Sequence, residues 1–120
     1  MNSKTILIVS GEPNSIFLEI YFKILKFKKI KSPLILISSE KLLRLQMRKL
    51  RFKKKINILN FSSLDKYKLD NKSINLIDVK YNPTKAFEKV SKKSNSFIMK
   101  SFDIAFKILR KGQIKKFING

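Results

Sequence analysis

Short runs of consecutive apolar residues, each followed by a turn or an amphipathic segment, most constrain how this chain can fold. Ile6–Val9 and residues 34–37 are continuously apolar, as is typical of strands in a parallel sheet that helices cover on both faces. Residues 56–59 are a third strand candidate. Residues 73–79 are a fourth, and their alternation places them nearer a sheet edge. A fifth strand begins near Gln113 and ends where the chain stops.

The segment after the first strand predicts an amphipathic surface helix. Asn14 or Ser15 can cap its start, and Glu19 falls in its first turn, where a negative charge suits the helix dipole. Four apolar residues recur at helical spacing and predict the core-facing stripe: Ile16, Ile20, Ile24 and Phe27. Three lysines occupy the opposite edge: Lys23, Lys26 and Lys28.

Two further helices are predicted, with a short helical turn between them. The first of these helices begins at Ser38-Ser39-Glu40 and offers four residues to the core: Leu42, Leu45, Met47 and Leu50. The short turn follows Asn82-Pro83-Thr84 and contains Ala86, Phe87 and Val90. The longer helix runs to about residue 111, with a predicted apolar stripe: Ile98, Phe102, Ala105 and Leu109. Cations lie in its last turn, and Gly112 is well placed to end it.

The resulting order, β-α-β-α-β-β-α-β, predicts an α/β fold with a mainly parallel, doubly wound sheet and right-handed crossovers. Residues 60–72 are polar and turn-rich, with Asp70-Asn71 as the expected bend. Ligands of such sheets bind in the loops beyond the carboxyl ends of the strands. The chain stops at the carboxyl end of a strand, so we expect residues 1–120 to be the opening part of a larger α/β enzyme.

The net charge of +20 has two interpretations. Such an excess of positive charge indicates nucleic acid or an anionic membrane as a partner. However, 24 of the 28 basic residues are Lys, and Lys, Ile and Asn fill 50 of 120 positions, as expected when A and T dominate the codons. Basic runs at residues 26–31 and 48–55 could follow a phosphate backbone or simply be solvated. Codon bias is the preferred interpretation.

Several classes of protein and site are excluded by what the sequence lacks. No apolar run approaches the roughly 18–20 residues that cross a bilayer. The short apolar start has no signal-peptide cleavage pattern, so we expect a cytoplasmic protein. With no Cys, disulfides and thiolate sites are excluded, and with no His the commonest general base and metal ligand is missing. Neither a GxGxxG nor a Walker A pattern is present.

The eight carboxylates are the remaining candidates for acid–base chemistry. Five are interpreted as helix-surface or loop residues: Glu40, Asp65, Asp70, Glu88 and Asp103. Asp78 lies near a strand end and could pair with a neighbouring Lys. Glu12 is the strongest candidate, because its loop directly follows the first strand at the edge where function concentrates. The alternative for Glu12 is an ordinary turn before a helix.

The first strand and its loop resemble the start of the 4-hydroxythreonine-4-phosphate dehydrogenase family. That family follows an apolar strand with Gly-(Asp/Glu)-Pro-Ala-Gly-Ile-Gly-Pro-Glu. Five positions of this chain are in register with it: Gly11, Glu12, Pro13, Ile16 and Glu19. Four depart from it: Asn14, Ser15, Phe17 and Leu18. The segment through Gly112 to Asn119-Gly120 resembles the approach to the family's Thr-Gly-Pro loop.

The resemblance implies an isocitrate/isopropylmalate dehydrogenase-like fold and a homodimeric, NAD-dependent dehydrogenase. Such enzymes oxidise and decarboxylate 4-phosphohydroxy-L-threonine in pyridoxal phosphate biosynthesis, with a divalent metal held by histidines. Only Gly11, Glu12 and Pro13, with Asn119 and Gly120, match cleft loops, and no catalytic or metal-binding residue can be carried onto this chain. This fragment is therefore expected to be inactive and to bind neither NAD nor metal well.

Two other functions remain open. A small basic nucleic-acid-binding protein would use the charge and the ten Phe for base stacking, although most of those Phe lie at helical core spacing and make nucleic acid the less favoured partner. A diverged, non-catalytic paralogue acting as a scaffold would explain the lost glycines. An incomplete sheet would also leave an unpaired edge and uncovered apolar faces, which predicts marginal stability or aggregation.

Overall fold

The computed structural model describes residues 4–83 and 92–120, which form one parallel sheet with flanking helices. The strands are β1 (Ile6–Val9), β2 (Leu34–Ser38), β3 (Ile56–Ile58), β4 (Ile74–Asp78) and β5 (Lys116–Asn119). The helices are α1 (Phe17–Phe27), α2 (Glu40–Lys49) and α3 (Lys92–Arg110), with a 3-10 helix at Phe61–Lys66. The predicted short turn with Ala86, Phe87 and Val90, together with Glu88, lies outside the described residues.

The sheet confirms the predicted α/β fold. Its strand order is β3-β4-β2-β1-β5, and all four pairings are parallel. β4 is second from an edge, beside the short strand β3. The chain moves outward from β1 through β2, then returns through α3 to place β5 on the other side of β1. The order therefore reverses between β1 and β5, and this is the switch point at which open α/β sheets bind ligands.

The apolar stripe predicted for α1 is wrong. Its four residues are exposed, Ile16 by 63%, Ile20 by 45%, Ile24 by 39% and Phe27 by 70%. The face that packs on the sheet is instead formed by three other residues, with Leu25 half-buried beside them: Leu18, Tyr21 and Phe22. α1 is apolar on both faces, so helical spacing alone fits either one. Packing decides, because the buried face places the two large aromatic rings in the core.

The core face of α2 is only partly as predicted. Leu42 and Met47 are buried, but Leu43 and Gln46 are buried beside them, whereas Leu45 is half-buried outside the core cluster. Leu50 is half-buried against the core.

α3 is rotated relative to the prediction. Ala105 is buried, but Ile98, Phe102 and Leu109 are half-buried, and the centre of the face belongs to others: Ser94, Phe97, Ser101 and Ile108. Small serines let the helix lie close to the sheet, and a count of apolar residues overlooks them. Gly112 ends the helix with φ +79°, as predicted. Within residues 4–83 and 92–120, no helix is long and apolar enough to span a membrane.

Candidate functional site at the switch between β1 and β5

The structure brings the two predicted cleft segments together at the carboxyl edge of the sheet. β1 and β5 are parallel neighbours with Val9 opposite Asn119. The N–H of Gly120 donates to the carbonyl oxygen of Val9 at 2.7 Å. Gly11 and Gly120 therefore meet directly beyond the two strand ends, and Glu12 and Pro13 continue along the same edge.

Gly11 occupies a position that other residues would strain. Its φ of +73° lies in the left-handed region, which L-residues with a Cβ adopt at a cost. A Cβ on Gly11 would also collide with the carbonyl oxygen of Gly120. The Asn119 side-chain oxygen lies 3.8 Å from the same point. The turn from β1 into the loop thus requires glycine at position 11.

Phe17 closes the space on the other side of this contact. A Cβ added to Gly120 would lie 2.6 Å from the Phe17 ring. Phe17 stands where the family resembled by the sequence has a glycine. The ring therefore fills space beside Gly120 that a glycine at position 17 would leave open.

Glu12 organises its own loop. Its side-chain oxygen accepts from the backbone N–H of Asn14 at 3.1 Å and from the Asn14 side-chain amide at 2.9 Å. Its carbonyl oxygen accepts from the N–H of Ser15 at 3.1 Å. The Ser15 hydroxyl in turn accepts from the N–H of Phe17 at 3.3 Å. The N-cap of α1 is Ile16, which makes no side-chain cap hydrogen bond, so the prediction of Asn14 or Ser15 as the cap is wrong. Half-buried Glu12 is thus held as a turn-forming residue with its carboxylate already engaged.

Gln46 holds the loop in place, and the sequence analysis did not identify it as a site residue. This fully buried residue of α2 donates from its side-chain nitrogen to the carbonyl oxygen of Pro13 at 3.2 Å. Its side-chain oxygen is buried with no hydrogen-bond partner among the described residues. Gln46 lies four residues after Leu42, on the core face of the helix. A polar residue at a core-facing position of a helix is the sequence pattern that could have indicated this role.

The neighbouring strand ends are closed by short polar side chains. The Ser10 hydroxyl donates to that of Ser38 at 3.0 Å, in a buried contact between the ends of β1 and β2. Ser39 caps α2 by accepting from the N–H of Leu42 at 3.2 Å. Asp78 accepts from the N–H of Glu40 at 2.8 Å, so this carboxylate binds the first turn of α2.

The residues present do not fit the divalent metal that the sequence resemblance implies. The chain has no His or Cys. Among the described residues, no three carboxylates lie close enough to form a metal site. They do not fit a pyrophosphate cradle either, because the N–H groups of Asn14, Ser15 and Phe17 are bonded within the loop.

The fold closely matches that of solved dehydrogenases. A 4-hydroxythreonine-4-phosphate dehydrogenase from Burkholderia phymatum superposes on 96% of this chain with a TM-score of 0.81 and 18% sequence identity. The enzyme from Klebsiella pneumoniae superposes on 98% of it, again with a TM-score of 0.81 and 18% identity. No family model and no curated protein sequence matches the chain.

The matched structures carry the name of the family that the Gly11-Glu12-Pro13 segment resembles. The chain spans 35% of the length of the Burkholderia protein and 37% of that of the Klebsiella protein. It has the fold of about a third of a 4-hydroxythreonine-4-phosphate dehydrogenase.

Proposed function

We propose that this chain is the N-terminal part of an NAD-dependent dehydrogenase that oxidises 4-phosphohydroxy-L-threonine, whose product then loses its carboxyl group. The observation that carries the proposal is the Gly11–Gly120 contact at the switch point, within a chain that superposes almost completely on about a third of such an enzyme. The fold likeness supports an oxidoreductase, and the sequence resemblance supports this substrate.

The role of these residues is to shape one wall of a cleft. Gly11 lets the backbone turn away from β1, Gln46 fixes Pro13, and Glu12 holds the loop conformation. The groups that bind the metal, and the remaining cofactor-binding groups, belong to other regions of the larger enzyme, a cytoplasmic homodimer. Residues 1–120 alone are inactive in this proposal and bind NAD and metal poorly.

The reading frame tests this assignment. Genomic DNA read past the codon for Gly120 should continue in frame with Pro, then Lys, and later several His codons. A stop codon directly after Gly120 in intact genomic sequence would contradict the proposal.

The net charge favours one second candidate, a nucleic-acid-binding protein. The described aromatic residues give it limited support, because the most exposed Phe side chains, Phe27 and Phe106, lie on different helices, α1 and α3. A titration with single-stranded RNA at several salt concentrations decides between the two. Tight binding that falls steeply with salt would favour this candidate, and weak binding at low salt would exclude it.

A further inference from the structure

A hollow lies between α1 and the turn that follows α2. α1 starts beside the carboxyl end of β1 and runs back toward the amino edge. The hollow extends along this helix from Glu19 to Phe27, and its volume is about 250 Å³. An apolar cavity of about 150 Å³ is enough to hold a benzene ring. The space therefore suits one or two fused rings.

The walls of the hollow are aromatic. Phe22, which is buried, stacks on Phe52 with ring centroids 4.9 Å apart and planes inclined by 16°. Phe27 stands at the rim and is 70% exposed, with the Lys26 ammonium 5.3 Å above its ring centroid. Leu50 completes the apolar lining. The Phe22 ring is therefore covered by Phe52, and a flat ring entering the hollow would meet the half-buried Phe52 and the exposed Phe27.

The rim of the hollow is positively charged. Lys23, Lys26 and Arg51 line it together with a single carboxylate, Glu19. Glu19 lies 3.9 Å from the Lys23 ammonium, and both side chains are solvent-accessible, so this pair holds them weakly. Two cations are left in excess at the mouth. An anionic group on the ligand would be attracted to them, and a guanidinium can bind a carboxylate with two hydrogen bonds.

Arg51 has an unusual backbone at this rim. With φ 54° it is the single non-glycine residue of the described chain with a positive φ. Its N–H donates to the carbonyl oxygen of Arg48, and the N–H of Phe52 donates to that of Met47. These two bonds form a Schellman motif, whose left-handed position is usually Gly. Arg51 thus combines a positive charge with a strained backbone beside Phe52. Strained backbone positions of this kind cluster at ligand sites.

We propose that this hollow is a binding site for a small aromatic acid, a flat one- or two-ring system that carries one carboxylate. The rings pack against Phe52, which Phe22 supports from behind, with Phe27 at the open side. The carboxylate pairs with Arg51 and with Lys26. The site is distinct from the cleft loop and does not depend on the proposed dehydrogenase activity.

Equilibrium dialysis of the protein that the uninterrupted reading frame encodes against 2-naphthoate tests the site. We expect saturable binding with a Kd of roughly 0.1–1 mM, as ligand efficiency allows for a molecule of this size. Neutral 2-naphthalenemethanol should bind about tenfold more weakly, because it lacks the charge-assisted hydrogen bonds. Circular dichroism of every variant checks that its helices are formed.

Two substitutions should shift the affinity in opposite directions. Arg51→Ala should weaken 2-naphthoate binding by about tenfold, the loss typical of a charged hydrogen bond. Glu19→Gln should strengthen it severalfold by removing the competing carboxylate. Arg110→Ala is the matched control, because Arg110 is exposed at the end of α3 and its loss changes the net charge equally.

Three results would overturn the proposal. The first is equal binding of the naphthoate and the alcohol, and the second is an equal effect of Arg51→Ala and Arg110→Ala. The third is absence of saturation, including the case in which sedimentation shows chains associating through Phe27 so that the hollow is closed.

Discussion

Two glycines with nearly the same φ angle have opposite surroundings, and together they test the cleft geometry. Gly11 has φ +73° and faces the carbonyl of Gly120, whereas Gly112 has φ +79° and open space around it. Gly112→Ala should therefore cost only the left-handed strain, about 1 kcal/mol of unfolding free energy. Gly11→Ala should cost about 3 kcal/mol or more, since a carbonyl in the sheet must also move.

Urea denaturation followed by circular dichroism measures both losses. Equal destabilisation by the two substitutions would show that β1 and β5 do not bring Gly11 and Gly120 into contact.

Tyr21 makes stability sensitive to alkaline pH. Burial raises the pKa of its hydroxyl above the ordinary value near 10. Below pH 10 both folded and unfolded chains keep the proton, so stability is unaffected. Above pH 10 the unfolded chain releases it first, and the free energy of unfolding falls by about 1.4 kcal/mol per pH unit.

Comparison with Tyr21→Phe isolates this effect, because both proteins share the same lysines. Urea denaturation at pH 9 and pH 11 should show a loss about 1 kcal/mol larger for the parent chain. Parallel curves would indicate that Tyr21 is accessible to water in the folded protein.

The residues of the cleft were only partly predictable from the sequence. Gly11 and Glu12 could be identified because they directly follow a strand, and position along a strand is visible in the sequence. The hydrogen bonds from Gln46 to Pro13 and from Glu40 to Asp78 join residues 33 and 38 positions apart. Such contacts depend on how α2 is rotated on the sheet, which local spacing does not determine. The left-handed backbone of Arg51 was equally unpredictable, because the turn has no Gly that would indicate a positive φ.

At the scale of elements, α1 shows why a helix can be predicted while its buried face is not. Its spacing indicated a helix correctly, yet two apolar stripes compete on its surface. The stripe with Tyr21 and Phe22 faces the sheet, and Phe22 stacks on Phe52. The choice between the stripes depends on Phe52, a residue 30 positions away.

A pair of substitutions in α1 tests which face is buried. Leu18→Ala should destabilise the protein by about 2–5 kcal/mol, because Leu18 is 2% exposed and its truncation leaves a cavity. Ile20→Gln should change stability by less than about 0.5 kcal/mol, because Ile20 is 45% exposed. Thermal unfolding measures both. The reverse order of the two losses would support the stripe that was predicted from the sequence.

At the scale of the whole molecule, the alternation of strands and helices predicts a parallel sheet, and the structure confirms it. The strand order β3-β4-β2-β1-β5 was not predictable from that alternation. The edge strand β5 and three exposed residues of α1 need a covering that the described residues do not supply: Ile16, Ile20 and Ile24. We therefore expect residues 1–120 alone to be marginally stable or to self-associate. NMR spectra of the isolated chain should show broad amide signals. Sharp, well-dispersed signals from a monomer would contradict this expectation.

The central claim is that these residues form part of a dehydrogenase cleft at Gly11 and Gly120. The most direct measurement is NADH formation from 4-phosphohydroxy-L-threonine by the protein that the uninterrupted reading frame encodes, with a divalent metal present. We predict turnover that Gly11→Val abolishes while Gly112→Ala largely preserves it. Absence of NADH formation from the purified, folded protein would contradict the account.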